Sequence, residues 1–263
     1  AEAKARTRAL ESRDLQGLGW EELLATVREA LAIPPLLGEV RLRYMPRIGL
    51  AVGRIRALLS LLRRADLFAT LLFTGVETKT LEVNRALEAL AGRIRSDVAL
   101  ADAFNTHDGG EIREALEAQT EGRAFLAELR TLLDRYGHRE VGGTLQISQP
   151  TWKDAPEVVL GILKGLAASP PRSNGQRPGW EAARDELLGH PLLQMPVVRL
   201  RFLRLLEQAR LLGQLREDTR FYFMLPVPVL RRALLELGRR LALGGVLDSA
   251  GDVFHLKLDE IVR

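Results

Sequence analysis

Cysteine is absent from the 263 residues, which excludes disulfides, thiolate metal sites, iron–sulfur clusters and cysteine nucleophiles. Long apolar runs are absent as well. No uninterrupted stretch approaches the length of a bilayer span, so no membrane association is expected. Histidine is scarce: His107, His138, His190 and His255 are the only four, and no two stand at the i, i+4 spacing of a helical zinc site. No metal site is expected. A glycine-rich phosphate loop is missing, because "LGG" and "EVGG" match neither nucleotide fingerprint. No serine lies in a nucleophile-elbow context. The opening "AEAKARTRALESRD" lacks the apolar core of a signal peptide, which makes cytoplasm the expected location. No repeat of fixed period occurs.

What is present is helical in character. Hydrophobic residues make up 46% and charged residues 27% of the chain, an ordinary globular balance with enough length for a well-buried core. The formal charge is only +4, from 38 Lys and Arg against 34 Asp and Glu. Acidic residues interleave with arginines, as in "EELLATVREALA", so the charges read as solvated helix faces and nucleic acid is not expected as a partner. Alanine, leucine, arginine and glutamate dominate, and apolar residues recur three and four apart. The fold expected is all-α: an irregular multi-helix bundle with room for one or two very short strands.

Along the chain, a first helix is expected to start near Trp20 and to stop before Pro34 and Pro35, since proline lacks an amide donor. "PPLLGEVRLRYMPRIG" reads as a connection with an extended piece in "EVRLRY". Helical periodicity follows in "LAVGRIRALLSLLRRADLFATLL" and "TLEVNRALEALAGRIRSDVALADAF". The turn "NTHDGGEI" then leads into one long helix, "EIREALEAQTEGRAFLAELRTLLDRYG", that Gly137 ends. Another helix is expected at "APEVVLGILKGL". Residues 169–179, "SPPRSNGQRPG", read as a flexible loop between an N-terminal helical part, 1–168, and a C-terminal one, 180–263. In the second part Val198, Phe202, Leu205, Leu206, Ala209 and Leu212 form one apolar stripe, with Arg204, Glu207 and Arg210 opposite. Leu230, Leu234, Leu237 and Leu241 form the next, and "DVFHLKLDEIVR" reads as an extended piece entering a last helical turn.

Two clusters could carry chemistry. In "LREDTRFYFM", Arg216 and Arg220 stand one helical turn apart. Two guanidiniums so placed could clamp a phosphoryl group, neutralising charge spread over its oxygens; the same spacing also suits an exposed, salt-bridged helix face. In "DRYGHRE", His138 and Arg139 directly follow a helix stop. They could touch a substrate or simply shape the helix exit.

Taken in order, "FLAELRTLLDRYGHRE", "SQPTWKDAPEVVLGILKGL", "LREDTRFYFM" and "VLRRALLELGRRLALGGVLDSAGDVFHLKLDEI" resemble the central helical domain of the phosphoenolpyruvate synthase-like phosphotransferases, in particular the rifampin phosphotransferase family. The motifs are an aromatic-Gly-His-Arg element, a Pro-x-Trp segment, an Arg-Glu-Asp-Thr-Lys helix and an Asp-Val-Phe-x-Leu ending, and the resemblance covers about residues 120 to 263 best. It implies a parent enzyme with an ATP-grasp domain, an acceptor-binding helical domain and a swivelling phosphohistidine domain. This chain corresponds to the helical part alone. The resemblance assigns phosphate neutralisation to Arg216 and Arg220, effective only with the partner domains, and acceptor binding to His138, Arg139 and Trp152. Arginine replaces the family's lysine at 220, which keeps the charge but excludes proton transfer at ordinary pH. Thr144 and Gln146 stand where acidic residues are common, a departure that leaves the acceptor open.

The expected function is therefore an acceptor-binding domain of an ATP-dependent, phosphohistidine-mediated phosphotransferase, inactive by itself. Its expected partners are the ATP-grasp and phosphohistidine domains and a small-molecule acceptor. It would bind no cofactor of its own, with ATP and magnesium required by the parent enzyme. The alternative is a non-catalytic helical module that binds protein or nucleic acid through arginine-bearing faces.

Overall fold

The computed structural model describes residues 2–139, 141, 146–169 and 179–262. Among them the helices are, in order, α1 Glu2–Glu11, α2 Trp20–Leu31, α3 Ile33–Leu61, α4 Phe68–Phe73, α5 Lys79–Ser96, α6 Val98–Thr106, α7 Gly109–Glu117, α8 Thr120–Tyr136, α9 Pro156–Ala168, α10 Trp180–Leu188, α11 Pro191–Gln194, α12 Pro196–Phe223, α13 Val227–Leu243 and α14 Leu258–Val262. Short 3-10 turns lie at Ala65–Leu67 and Ala250–His255. The all-α expectation holds. No strand occurs among the described residues, and the nearest thing to one is an isolated bridge at Thr151. The loop expected at 169–179 lies, from 170 to 178, outside the described residues.

Several boundaries differ from the sequence expectation, each for a local reason. "EVRLRY" is helical, inside α3. Pro34 and Pro35 occupy its first turn, where amide donors have no intrahelical partner to lose. Pro46 is tolerated within it because Ile48, Ala51, Ile55 and Leu59, spaced three and four apart, are all buried, and this burial outweighs the roughly 3 kcal/mol an interior proline costs. The single helix expected around 80–104 breaks where the Asp97 carboxylate accepts from the amides of Ala99 and Leu100 at 2.9 and 3.1 Å, starting α6 as an N-cap. The long helix ending at Gly137 is two, α7 and α8, because Gln119 is extended (φ −116, ψ 149). Helix α1 has no counterpart in the sequence reading. The extended piece expected in "DVFHLKLDEIVR" is instead the second 3-10 turn.

The chain folds into two compact units, each assembled from segments distant in sequence. Unit 1 comprises residues 1–37, 83–171 and 222–263; unit 2 comprises 38–82 and 172–221. In unit 1, Leu10, Leu23, Leu24, Val27, Ile33, Val229, Ala233, Leu237 and Val253 form one core that joins α1, α2 and α13. Phe104 and Phe125 meet edge to face in the same unit, with ring centroids 5.6 Å apart. In unit 2, Ile55, Leu59, Leu71, Leu187, Phe202, Leu206 and Ala209 pack α3, α4, α10 and α12 around a second core. The stripe expected on α12 is the one used: Phe202, Leu206, Ala209 and Leu212 are buried, with Val198 and Leu205 partly so.

Unit 1 also buries a charge. Glu236, 7% exposed, accepts from Arg239 Nε and Nη2 at 2.7 Å each and from Arg240 Nε at 2.8 Å. Arg240 reaches on to the carbonyl of Gln16 at 3.1 Å, tying α13 to the α1–α2 connection. Chiefly through the Arg239 bond, this network holds the Glu236 carboxyl down at about 2, from 4.5. A depressed carboxylate stabilises the fold above its unfolded pKa and stops doing so as pH falls through its folded one. The contribution is therefore expected to be complete above about pH 5 and to fade toward pH 2. Urea unfolding of wild type and Glu236→Gln at pH 6 and pH 2.5 checks this: the wild-type advantage should shrink sharply at the lower pH, and an equal gap at both would contradict it.

Candidate functional site

The first candidate group lies in unit 1, at the exit of α8. Gly137 ends the helix in an αR conformation, its amide donating to the Leu133 carbonyl at 2.7 Å. A side chain there would put Cβ 2.3 Å from the Leu133 oxygen and 3.1 Å from Lys153 Cβ, so close approach demands the glycine. The chain then pairs with the Pro-x-Trp segment. The Trp152 amide donates to the Arg139 carbonyl at 2.8 Å and the Lys153 amide to the Gly137 carbonyl at 2.9 Å. The Arg139 guanidinium lies 5.1 Å from the Trp152 ring centroid, a cation–π stack. His138 and Trp152 are 6% and 7% exposed. The structure thus brings the three residues of this group together.

The acidic residue after the tryptophan secures the turn. The Asp154 carboxylate accepts from the Thr151 amide at 3.0 Å and hydroxyl at 2.8 Å, and Arg231 of α13 lies 3.5 Å from it. Beside this turn, a cleft of about 370 Å³ opens between α1 and α8, with His138 and Lys153 in its lining. Lys4, Arg8, Arg135 and Lys153 stand around Glu11 and Asp134 there, and the Lys153 ammonium pairs with both carboxylates at 3.3 and 3.9 Å. Such a cleft suits a small polar group better than a large apolar one. The sequence did not point to it, because α1 supplies one wall.

The second candidate group lies on α12 in unit 2. Phe202, Leu206 and Ala209 continue, at alternating steps of four and three, to positions 213, 216 and 220. One helix face therefore runs from the core to Arg216 and Arg220. Between Leu212 and Phe223 nothing apolar continues it, and both arginines are exposed. Arg216 donates to the Glu217 carboxylate at 2.9 Å, an exposed pair of small energetic weight that a stronger anion can displace. Thr219 is buried and donates to the Leu215 carbonyl at 2.7 Å. Asp218 accepts from the Lys79 amide at 2.8 Å. Unit 2 also exposes apolar side chains: Leu42, Met45 and Leu50 on α3, and Val197 and Leu200 at the start of α12. Arg210, expected on the solvated side, is half-buried. Its guanidinium lies 4.0 Å from the Trp180 ring centroid.

Two other histidines bond to main chain. His190 caps α11, its Nδ1 accepting from the Leu192 amide at 3.3 Å, and His107 places Nδ1 3.2 Å from the Ala103 carbonyl. Among the described residues no group of histidines and carboxylates could hold a metal ion, and no helix is long and apolar enough to cross a membrane.

Residues 43–217 match the rifampicin phosphotransferase fourth domain, and the chain belongs to that family. Its similarity to curated proteins is consistent with this. An uncharacterized phosphotransferase, YvkC of Bacillus subtilis, is 25% identical over 193 residues, 72% of this chain and 23% of that protein. The prodigiosin synthesizing transferase PigC of Serratia marcescens is 28% identical over 176 residues, 65% of this chain and 20% of the relative. Chondramide synthase cmdD of Chondromyces crocatus is 25% identical over 253 residues, 92% of this chain and 6% of that protein. The chain thus spans less than a quarter of the length of each of these relatives.

The two candidate groups should separate cleanly by mutation. Trp152→Ala is expected to cost about 3–5 kcal/mol of stability through loss of a large buried ring. Arg216→Ala and Arg220→Ala should each stay within about 0.5 kcal/mol, as exposed surface changes do. Denaturant melts of the three variants measure the contrast, and a destabilising Arg216→Ala would show that the arginine is part of the packing.

Proposed function

We propose that this chain is the acceptor-binding helical domain of an ATP-dependent, phosphohistidine-mediated phosphotransferase. The observation that carries the reading is the α12 face that leaves the core as two exposed guanidiniums, Arg216 at the end of the segment that matches the rifampicin phosphotransferase fourth domain, residues 43–217, and Arg220 just past it. Their work is electrostatic. As a phosphoryl group passes from carrier to acceptor, negative charge spreads over its oxygens, and two planar cations one turn apart neutralise it without taking a proton. The donor phosphohistidine and the ATP site belong to other parts of the parent enzyme.

Unit 2 supports an acceptor of partly apolar character. Leu42, Met45, Leu50, Val197 and Leu200 project from helices whose opposite faces share one core, and preformed apolar surface with a few polar groups is the usual makeup of small-molecule sites. The relatives named for a phosphotransferase, a prodigiosin-synthesizing transferase and a chondramide synthase support one helical scaffold serving several parent enzymes. His138, Arg139 and Trp152 form a packed turn in unit 1, where His138 meets the polar cleft. Of the three, His138 is the one that lines the cleft and would touch a ligand there, with Arg139 and Trp152 holding the turn behind it.

The test uses the chain itself. Thermal melts with a panel of rifamycins, pyruvate and phosphoenolpyruvate are expected to show stabilisation by one acceptor class, with little dependence on salt. With ATP and magnesium added, no phosphorylated acceptor should form. Turnover by the chain alone would contradict the reading. Binding to DNA or RNA that weakens steeply with salt, with no acceptor bound, would favour a nucleic-acid module instead. In a parent enzyme containing this domain, Arg216→Ala should lower kcat by about 100-fold while leaving acceptor affinity nearly unchanged.

A further inference from the structure

Asp218, the carboxylate inside the Arg-Glu-Asp-Thr-Arg motif, does not face the same way as the arginines. At 100° per residue, positions 210, 214 and 218 form one stripe of α12, and Arg216 and Arg220 lie about 140° around from it. All three residues of that stripe bond to main chain of the α4–α5 connection. Arg210 donates from Nη1 to the Leu71 carbonyl at 2.5 Å and from Nη2 to the Thr74 carbonyl at 3.0 Å. Gln214 Nε2 donates to the Glu77 carbonyl at 2.6 Å. The Lys79 amide, first of α5, donates to Asp218 Oδ1 at 2.8 Å.

The charges match the helix ends they meet. Unsatisfied carbonyls at the end of α4 receive a guanidinium, and an unsatisfied amide at the start of α5 meets a carboxylate. The Arg210 end is tightly seated. Its guanidinium stacks on Trp180, and Trp180 Cδ1 stands 2.9 Å from where a Cβ on Gly75 would sit, at a residue whose φ is +68. Only glycine fits that backbone without strain.

We propose that Arg210, Gln214 and Asp218 are a latch that fixes the rotation of α12 about its axis, and that Asp218 is a positioning residue holding Arg216 and Arg220 on one outward face. The proposal rests on the phosphate-neutralising reading of those arginines. Asp218 acts through α12 and takes no proton from the reaction.

The test is a titration of the chain with pyrophosphate, followed by the side-chain Nε–H signals of Arg216 and Arg220, alongside amide hydrogen exchange at Lys79. A carboxylate acting only through its charge repels the anion, so Asp218→Ala would then bind pyrophosphate more tightly. The latch requires the opposite sign: weaker binding and faster Lys79 exchange, each by about five- to tenfold, the factor that loss of an N-cap acceptor carries. Asp218→Asn keeps an acceptor oxygen and should exchange as wild type does, with affinity equal or higher. Arg216→Ala should lose binding with exchange unchanged. Wild-type or tighter binding by Asp218→Ala overturns the latch, as does Asp218→Asn losing affinity with normal exchange, an arm that remains decisive where the alanine variant does not fold. Absence of pyrophosphate binding by wild type overturns instead the phosphate reading on which the latch rests.

Discussion

A helix of 28 residues, α12, has one inward face, and unit 2 is built on how that face is filled. Its first half meets α3, α4 and α10 through Phe202, Leu206 and Ala209. Burying such side chains is worth about 1.5–3 kcal/mol each, which fixes the rotation of the helix where the core is dense. Past Leu212 the stripe holds Gly213, Arg216 and Arg220, and the apolar contribution is interrupted until Phe223. The part of the helix past the core carries two cations and is held there by polar bonds from Gln214 and Asp218 instead of apolar contacts. Neither arginine needs to contribute to stability, because the core upstream and the bonds of Arg210, Gln214 and Asp218 to the segment from Leu71 to Lys79 together set the direction of the helix.

The helical class was legible because it depends on residue spacing, which the sequence displays directly. The stripes on α12 and α13 follow from apolar residues three and four apart, and the buried set includes Phe202, Leu206, Leu230 and Leu237. Breaks were harder to read. Asp97 and Gln119 interrupt helices with no proline or glycine at the break itself, since an aspartate side chain competing for two amides looks in sequence like any other polar surface residue. Pro46 misled in the other direction, because a local penalty was outweighed by contacts the sequence does not show. The same limit hid Arg210. The sequence reading set it on the side opposite the core stripe, but four residues after Leu206 it lies on the stripe's flank, where Trp180 and the α4–α5 connection cover it, and so it is half-buried.

The motif residues divide by what surrounds them. Gly137, Thr151, Trp152 and Asp154 hold a turn together by main-chain bonds, a cap and a buried ring. A short sequence pattern of that kind can persist wherever the turn is needed, whatever the domain binds. Arg216 and Arg220 make no comparable structural contribution, and what they offer is charge at a defined place. Motif matching gives both groups equal standing. Burial and bonding distinguish them, and that distinction needs coordinates.

Charge shows the same gap between composition and structure. The chain as a whole is nearly balanced, at +4, and acidic and basic residues alternate along many helices. Assigned to the two units, the balance separates: unit 2 holds 17 Arg and Lys against 10 Asp and Glu, a formal +7, while unit 1 holds 21 against 24, a formal −3. From Val40 to Leu61, α3 has five arginines and no acidic residue. A small net charge on the chain thus conceals a basic unit, and that unit bears the exposed arginine pair. Salt screens such a field beyond about 8–10 Å, so its reach is local to the unit's surface. The same unit exposes the leucines and methionine of α3 and apolar side chains in the first turns of α12, where size and shape act and ionic strength has little influence.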